Sequence, residues 1–266
     1  MQNKKIGFIG CGFMGEALLS GLIAGGFCRS EEITVTDARK ERIEELRERY
    51  GVNVESDNSK AAADPDILVL AVKPRQMGEV LKEIAKHVGP DTIVVSVAAG
   101  VRISTIASQI KGKIVRTMPN MCAQVSESAT AVCAGSGVRE NELQLIVTMF
   151  DCVGKTVVVD ESLMDAVTGI SGSGPAYIYL VMEAMIKAGT DAGLSEEQSR
   201  GLVLQTVKGA AIMAHKTGAA PEVLRKRIMS PQGTTVAALD VLDGRGVRES
   251  FVEAVAAAVK RSKELG

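Results

Sequence analysis

The sequence is poor in the residues that most often carry acid–base and metal chemistry. It has two histidines, no tryptophan, three tyrosines and five phenylalanines among 266 residues. Its five cysteines form no Cys-x-x-Cys pair, so no metal site is predicted. The simpler interpretation of the five cysteines is that they are reduced thiols in a cytoplasmic protein. The core must be built from aliphatic side chains.

Charge and hydropathy exclude further classes of protein. Lys+Arg number 31 and Asp+Glu 32, and no basic stripe stands out, so a nucleic-acid partner is not expected. No run of about 18 apolar residues exists, so we predict no membrane span. Lys4-Lys5 before an apolar stretch looks like the start of a signal peptide, but Glu16 interrupts that stretch and argues against one. A globular protein of one or two domains is predicted.

A glycine triplet near the amino terminus carries the strongest local signal. Gly10, Gly12 and Gly15 follow a short apolar strand and open a helix-forming run, with Phe13 and Met14 inside the turn. The first glycine permits a tight turn, the second lets backbone approach a pyrophosphate, and the third lets helix and strand pack closely. The helix amino terminus then offers free N–H groups to the phosphates. This context predicts a dinucleotide site.

Hydrophobic periodicity divides the chain into two parts. Apolar strands are predicted at 6–9, 33–36, 53–55, 67–72, 93–97, 114–118, 130–134 and 156–159, with helices at 15–26, 39–50, 76–87, 103–110 and 140–150. This alternation predicts an α/β fold, a Rossmann-type, doubly wound, mostly parallel sheet, over residues 1–161. Residues 67–72 are apolar on both faces, as a central parallel strand should be. Residues 162–266 are predicted to be all-α, with helices at 162–170, 175–191, 196–217, 221–228, 234–243 and 246–264. Ser195 with Gln198 is predicted to form a capping box before the third of these helices, and Pro221 suits the start of the fourth.

The helical half contains segments that are apolar over most of their surface. Residues 177–182 and 252–259 are the clearest cases. A helix that is apolar nearly all round needs burial on more than one side. Dimerisation through this half would supply that burial, and an ordinary core within one chain is the alternative.

The residues after the second predicted strand give conflicting indications about the cofactor. Asp37 stands 22 residues beyond Gly15, where an acidic side chain accepts hydrogen bonds from the adenosine ribose and favours NAD. Arg39 and Lys40 follow and could instead hold the 2′-phosphate of NADP, or simply begin the solvated face of a helix. The choice between NADH and NADPH stays open.

The scarcity of histidine also bears on which type of double bond an enzyme of this kind would reduce. Reduction of a carbonyl needs a positioned proton donor, whereas His87 and His215 both lie near predicted helix ends, where histidines often serve other purposes. A protonated imine already carries the charge that makes its carbon electrophilic. An enzyme acting on it needs mainly orientation and a hydrogen-bond partner for nitrogen, which hydroxyl groups can supply.

Two glycine-containing stretches interrupt the helical half. Residues 169–177 read Gly-Ile-Ser-Gly-Ser-Gly-Pro-Ala-Tyr, and residues 230–235 read Ser-Pro-Gln-Gly-Thr-Thr. Glycine is costly inside helices, so each stretch needs a reason, the simplest being a helix break with close packing. The second stretch places hydroxyls and free N–H groups at a helix start, which suits a substrate carboxylate.

Five motifs in order extend the interpretation beyond the glycine triplet. They are Leu70–Pro74, Ser96–Gly100, Arg116–Asn120, Gly172–Tyr177 and Ser230–Thr235. With them the chain resembles, over essentially its whole length, the pyrroline-5-carboxylate reductases, which make proline in the last step of its biosynthesis. The resemblance implies hydride transfer from NADPH or NADH to the cyclic imine carbon of 1-pyrroline-5-carboxylate.

The resemblance also implies roles for individual residues. On the cofactor side these are Gly10, Gly12, Phe13, Met14, Gly15, Asp37, Arg39, Ala71, Val72, Lys73, Pro74, Ala98, Ala99, Gly100, Met118, Pro119 and Asn120. Substrate would be held by Ser230, Gly233, Thr234 and Thr235, with Ser173 and Gly174. Thr235 is the expected hydrogen-bond partner of the imine nitrogen. A homodimer through the helical domain, and larger rings of dimers, are implied as well.

Two other functions remain in view. A β-hydroxyacid dehydrogenase shares the two-domain plan and carries Gly-x-x-Gly-x-Gly-x-x-x-Lys, with the lysine as acid and base. This chain has Gly169, Gly172 and Gly174 but Ile178 at the lysine position, and isoleucine transfers no proton. A dinucleotide-binding regulator without catalysis would be expected to have lost the 230–235 stretch, which is intact here.

Overall fold

A computed structural model describes residues 4–265 of the chain. The strands are β1 (Ile6–Ile9), β2 (Ile33–Thr36), β3 (Asn53–Glu55), β4 (Ile67–Leu70), β5 (Ile93–Ser96), β6 (Lys113–Met118), β7 (Ser128–Ala134) and β8 (Gly154–Val158). The helices are α1 (Phe13–Ala24), α2 (Lys40–Tyr50), α3 (Asn58–Ala62), α4 (Met77–Ile84), α5 (Ile103–Ala107), α6 (Glu140–Asp151), α7 (Met164–Val167), α8 (Gly174–Asp191), α9 (Glu196–Thr217), α10 (Pro221–Arg227), α11 (Thr234–Gly244) and α12 (Val247–Leu265). The predicted fold class is confirmed.

The eight strands form one sheet in the order β3-β2-β1-β4-β5-β6-β7-β8. Strands β1 to β6 are mutually parallel, whereas β7 is antiparallel to β6 and β8 runs parallel to β7. The strand order reverses direction between β1 and β4, which is the topological switch point of an open α/β sheet. The carboxyl ends of β1, β2, β4 and β5 therefore meet at one edge, where ligands bind in such folds.

Alternation along the central strands builds a core on each face of the sheet. In β4, Ile67 and Val69 face one core, which includes α1, α2 and α6, while Leu68 and Leu70 face the other, which includes α3, α4 and α5. All four side chains are fully buried. A parallel strand covered on both faces has to be apolar at every position, as this sequence predicted.

Two local differences from the prediction have simple causes. Helix α3 was missed because it has only five residues; the Asp57 carboxylate caps it by accepting the Ser59 N–H at 2.8 Å. The predicted helix at 162–170 is instead a 3-10 turn at Glu161–Leu163, the short α7, and a π-helical turn at Thr168–Gly172. π-turns are rare and have no period that sequence patterns reveal.

The chain divides into two compact units. The first contains the described residues up to Ser173 and those from Ala257 onward, and the second is Gly174–Ala256. Within the first, the Ser262 hydroxyl donates to the Asp165 carboxylate at 2.6 Å. The predicted boundary at residues 161 and 162 stays a prediction.

The second unit consists of helices joined by short turns. Ser195 and Gln198 form the predicted capping box of α9, and Pro221 is the first residue of α10 as predicted. Helices α8 and α9 approach closely at Gly189, where a Cβ would lie 2.6 Å from the Ser199 hydroxyl oxygen. Over residues 4–265, none of the helices has the length and apolar character required to cross a membrane.

Candidate functional site

The glycine turn after β1 lies against the end of β4. Gly10 has φ +80°, in the left-handed region, and its N–H donates to the Thr36 carbonyl at 2.9 Å. A Cβ at Gly10 would lie 2.8 Å from Val72 Cγ1 and 2.9 Å from the Ala71 carbonyl oxygen. Only glycine satisfies both the backbone angle and the space, so the first glycine shapes the turn.

The other two glycines of the triplet differ in what surrounds them. A Cβ at Gly15 would lie 2.8 Å from the Gly10 carbonyl oxygen and 3.3 Å from Ala71 Cβ, so this glycine permits the close packing of α1 on the strands. A Cβ at Gly12 would meet no described protein atom within 4 Å. The space above Gly12 is therefore open to a ligand, which fits the predicted pyrophosphate position.

The backbone N–H and the backbone carbonyl of Cys11 are both bound by side chains that follow β2 in the sequence. The Cys11 N–H donates to Asp37 Oδ2 at 3.0 Å, and Arg42 Nε donates to the Cys11 carbonyl at 3.0 Å. Arg42 also pairs with Glu16 and Glu45. Glu16 in turn accepts hydrogen bonds from Arg49 and the Tyr50 hydroxyl, each at 3.0 Å. This network joins the first turn of α1 to α2 and fixes the glycine turn.

The same contacts set the charge state of the turn. Burial alone would raise the pKa of Asp37, but hydrogen bonds from the Cys11 N–H and from Arg39 outweigh it and hold that pKa below its usual value. Glu16 behaves similarly: burial opposes ionisation, and bonds from Arg42 and Tyr50 lower its pKa. Burial raises the pKa of the Cys11 thiol to about 12. Asp37 and Glu16 are therefore charged, and Cys11 is a neutral packing residue.

A cavity of about 510 Å³ opens beside the glycine turn. It brings together predicted cofactor residues from three separate strand ends: Gly10, Gly12, Asp37, Arg39, Ala71, Val72 and Lys73. A neighbouring cavity of about 660 Å³ shares Lys73 and includes Pro74 and Gly100. The two cavities follow the carboxyl edge of the sheet, which is where this fold takes a dinucleotide.

The third predicted cofactor motif is joined to the π-turn. Met118 packs against Gly172: a Cβ added to this glycine would lie 2.6 Å from Met118 Cε, so the methionine side chain would have to shift. Asn120 Nδ2 donates to the Ser171 carbonyl at 3.0 Å, and Asn120 Oδ1 accepts the Cys122 N–H at 3.0 Å. Ser173 then closes the turn through its N–H to the Thr168 carbonyl at 2.9 Å. The Asn120 side chain thus holds the loop.

Several predicted cofactor residues do not line either cavity described here. They are Phe13, Met14, Gly15, Ala98, Ala99, Met118, Pro119 and Asn120. Ala98 is buried, whereas Phe13 is 53% exposed. Their roles toward a cofactor stay predictions.

The structure adds three residues that the sequence did not indicate. Asn58 and Arg75 line the first cavity, and Arg42 supports the glycine turn. Arg75 follows Lys73-Pro74 directly and could have been included with that motif. Asn58 and Arg42 gave no local signal, because each acts on residues more than 20 positions away, Asn58 by accepting from Thr36 Oγ1 at 2.6 Å.

The predicted substrate residues at 230–235 lie in a tight turn and at the start of α11, within the second unit. The Gly233 N–H donates to the Ser230 carbonyl at 2.9 Å, and Gln232 has φ +61°. A Cβ on Gly233 would lie 2.4 Å from Ser230 Oγ, so glycine is needed there. Gly233 caps α11, whose first residues are Thr234 and Thr235. The first N–H groups of a helix have no intrahelical partner, so this turn presents hydroxyls and donors together.

Comparisons with known proteins agree with this arrangement. A family profile described as pyrroline-5-carboxylate reductase dimerisation matches residues 161–265, and one described as NADP oxidoreductase, coenzyme F420-dependent, matches residues 5–100. The pyrroline-5-carboxylate reductase of Methanosarcina acetivorans is 42% identical to this chain. The alignment has 268 positions and covers 100% of this chain and 99% of the relative. The chain belongs to the pyrroline-5-carboxylate reductase family.

Solved structures of this family superpose on the whole chain. The pyrroline-5-carboxylate reductase of Coxiella burnetii is 37% identical with a TM-score of 0.93, covering 100% of this chain and 99% of that one. The Plasmodium falciparum enzyme, solved with NADP bound, is 34% identical with a TM-score of 0.91 and the same coverage. The predicted resemblance to pyrroline-5-carboxylate reductases is therefore confirmed, and neither profile nor these relatives favours a β-hydroxyacid dehydrogenase.

Proposed function

We propose that this chain reduces 1-pyrroline-5-carboxylate to L-proline with NADPH or NADH. Membership of the reductase family, along the full length of the chain, is the observation that carries the proposal. The bound reduced nicotinamide would supply the hydride for the imine carbon. A proton resides on the ring nitrogen, so the product is a secondary amine.

The first unit fits a dinucleotide. Gly12 leaves open space where a side chain would otherwise intrude, and three cationic side chains line the same cavity: Arg39, Lys73 and Arg75. Backbone N–H groups at the start of α1 complement a pyrophosphate. Gly10, Gly12, Asp37, Ala71, Val72 and Lys73 would thus hold the cofactor, with Met118, Pro119 and Asn120 as further candidates.

The turn at Ser230–Gly233 and the start of α11 would hold the substrate. The Thr234 and Thr235 N–H groups and the Ser230 hydroxyl suit the carboxylate, because a helix amino terminus favours an anion. The Thr235 hydroxyl would bond to the imine nitrogen and orient the ring. Ser173 and Gly174, which adjoin the π-turn, remain candidates for the same role.

The proposed division of labour is tested with Thr235. The Thr235→Ala variant should lower kcat/KM for pyrroline-5-carboxylate roughly 100-fold, the usual loss when one positioned hydrogen-bond donor is removed. Cofactor affinity should not change, and Thr235→Ser should recover most of the activity. Thr148→Ala is the matched control, since the hydroxyl of this exposed threonine donates to its own helix, at 2.9 Å from the Gln144 carbonyl oxygen. A loss of cofactor affinity equal to the loss of kcat/KM would refute the proposed role.

We also propose a homodimer formed through the second unit. Among Gly174–Ala256 only Ser199 and Val203 are buried in the single chain, while Leu180 is 65% exposed and Leu202 59%. Apolar surface on this scale marks an interface. The dimerisation profile covers the same residues. Sedimentation velocity should give a dimer or a multiple of one, such as a ring of dimers; a monomer at micromolar concentration would contradict this.

A cytoplasmic location is the remaining part of the proposal. All five cysteines are free, as suits a reducing compartment. Fractionation of the source cells, with the enzyme activity as the marker, tests the location.

A further inference from the structure

The residues after β2 contain a carboxylate whose hydrogen-bonding capacity is largely used. Asp37 Oδ1 accepts both the Arg39 N–H and Arg39 Nε at 3.1 Å, and Oδ2 accepts the Cys11 N–H at 3.0 Å. A carboxylate has about four lone-pair positions, so about one is left. The Asp37 side chain is only 11% exposed. Its bond to Cys11 holds the glycine turn in place.

Unlike the Asp37 side chain, the Arg39 side chain is largely exposed. It is 63% exposed, and the ion pair with Asp37 uses Nε. The two terminal nitrogens of Arg39 make no hydrogen bond among residues 4–265 and remain available to a ligand. Because the end of β2 lies where this fold places the adenosine ribose, these nitrogens would lie near the 2′-position of a cofactor bound there.

The charge of the cavity also favours an anionic ligand beside Arg39. Three cations, Arg39, Lys73 and Arg75, line it together with one carboxylate, Asp37. The Asp37 charge is already offset by Arg39, so the carboxylate would repel a 2′-phosphate only weakly. An unpaired carboxylate at the end of β2 would have the opposite effect and would favour NADH.

We propose that the chain selects NADPH over NADH, with Arg39 binding the 2′-phosphate and Asp37 serving to position the glycine turn. The inference rests on the proposed function for its physiological meaning, since NADPH would then be the hydride donor for the imine. It concerns Arg39 as a specificity-determining residue. Arginine binds phosphate through charge-assisted, often bidentate hydrogen bonds, which gives a large difference between the two cofactors.

Binding of adenosine fragments tests this without any turnover. Calorimetry on the whole protein should show adenosine 2′,5′-bisphosphate binding at least about tenfold more tightly than adenosine 5′-monophosphate. In Arg39→Gln the bisphosphate affinity should fall about 10- to 100-fold, while the monophosphate affinity changes less than about threefold. Lys111→Gln is the control, because it removes an exposed charge that lines neither cavity and should alter neither affinity by more than about threefold.

Two results would overturn the proposal. The first is equal affinity of the unmodified protein for the two fragments, and the second is an equal loss of both affinities in Arg39→Gln. Because Arg39 is exposed and its loss leaves Asp37 bonded to Cys11, the variant should fold normally, which circular dichroism verifies. Failure of the reductase activity would leave these binding ratios unaffected, so the two proposals fail separately.

Discussion

Replacement of Gly12 by alanine should separate cofactor binding from folding. Gly12 caps α1 with φ −70° and ψ −156°, an extended conformation with the negative φ that alanine prefers. The added Cβ meets no described protein atom within 4 Å. Alanine is a poorer helix cap than glycine by about 0.5–1 kcal/mol. It also reduces the entropy of the unfolded chain, which stabilises the fold by about 0.4–1 kcal/mol.

These two contributions nearly cancel, so the free energy of unfolding should change by less than about 1 kcal/mol. For a chain of this size the corresponding shift in Tm is within about 2–4 °C. The cofactor should respond very differently, because the methyl group occupies the space through which the pyrophosphate reaches the backbone. Loss of two charge-assisted hydrogen bonds corresponds to about 3 kcal/mol, or roughly 100-fold in affinity.

The assay is a fluorescence titration with NADPH alongside thermal unfolding of the same preparation. Gly89→Ala is the matched control: its Cβ would lie at an ordinary 3.7 Å from the Thr92 hydroxyl oxygen, in a loop that precedes β5. It should leave NADPH affinity unchanged and alter the free energy of unfolding by no more than about 1 kcal/mol. A Gly12→Ala protein that binds NADPH normally, or that loses its cofactor only because it unfolds, would refute the reasoning.

Two further substitutions test the supports around the site. Arg42→Met removes the bond to the Cys11 carbonyl and the pairs with Glu16 and Glu45, so it should lower the free energy of unfolding by about 1–3 kcal/mol in urea titrations. It should weaken NADPH and NADH by the same factor, and a change in their ratio would contradict a purely positioning role. Glu142 is held by Arg139 and Lys113, which lower its pKa from 4.5 to about 2. Since the folded-state pKa is the lower one, this stabilisation is present above pH 4.5 and is lost as pH falls toward about 2. Glu142→Gln should therefore have a lower Tm than the unmodified protein at neutral pH, with the difference shrinking in acid; a constant difference across that range would argue against the ion pairs as its cause.

Local patterns in the sequence were sufficient for most of the fold. The uninterrupted apolar run of β4 predicted a strand buried on both faces, and Ser195 with Gln198 located the start of α9 at the residue observed. These features follow from interactions between near neighbours in the chain. Periodicity and capping chemistry encode them directly.

The supports of the candidate site depend on distant contacts and could not be read from the sequence. Arg42 reaches Cys11 from 31 residues away, and Asn120 reaches Ser171 from 51 residues away. Gly172 appeared as part of a glycine-rich break, yet its contact with Met118 is visible only in three dimensions. Asp37 shows the difference most clearly. The sequence left its role toward the cofactor open, and the structure shows that its partners within the protein are Cys11 and Arg39.

The proposed activity is tested most directly by following the transferred hydride. The protein is incubated with 1-pyrroline-5-carboxylate and NADPH that carries deuterium at the transferable C4 position, with NADH labelled in the same way in parallel. Mass spectrometry and NMR should find proline with one deuterium at C5, the former imine carbon, formed only when protein is present. Absence of proline with both cofactors, or proline without the label, would contradict the account.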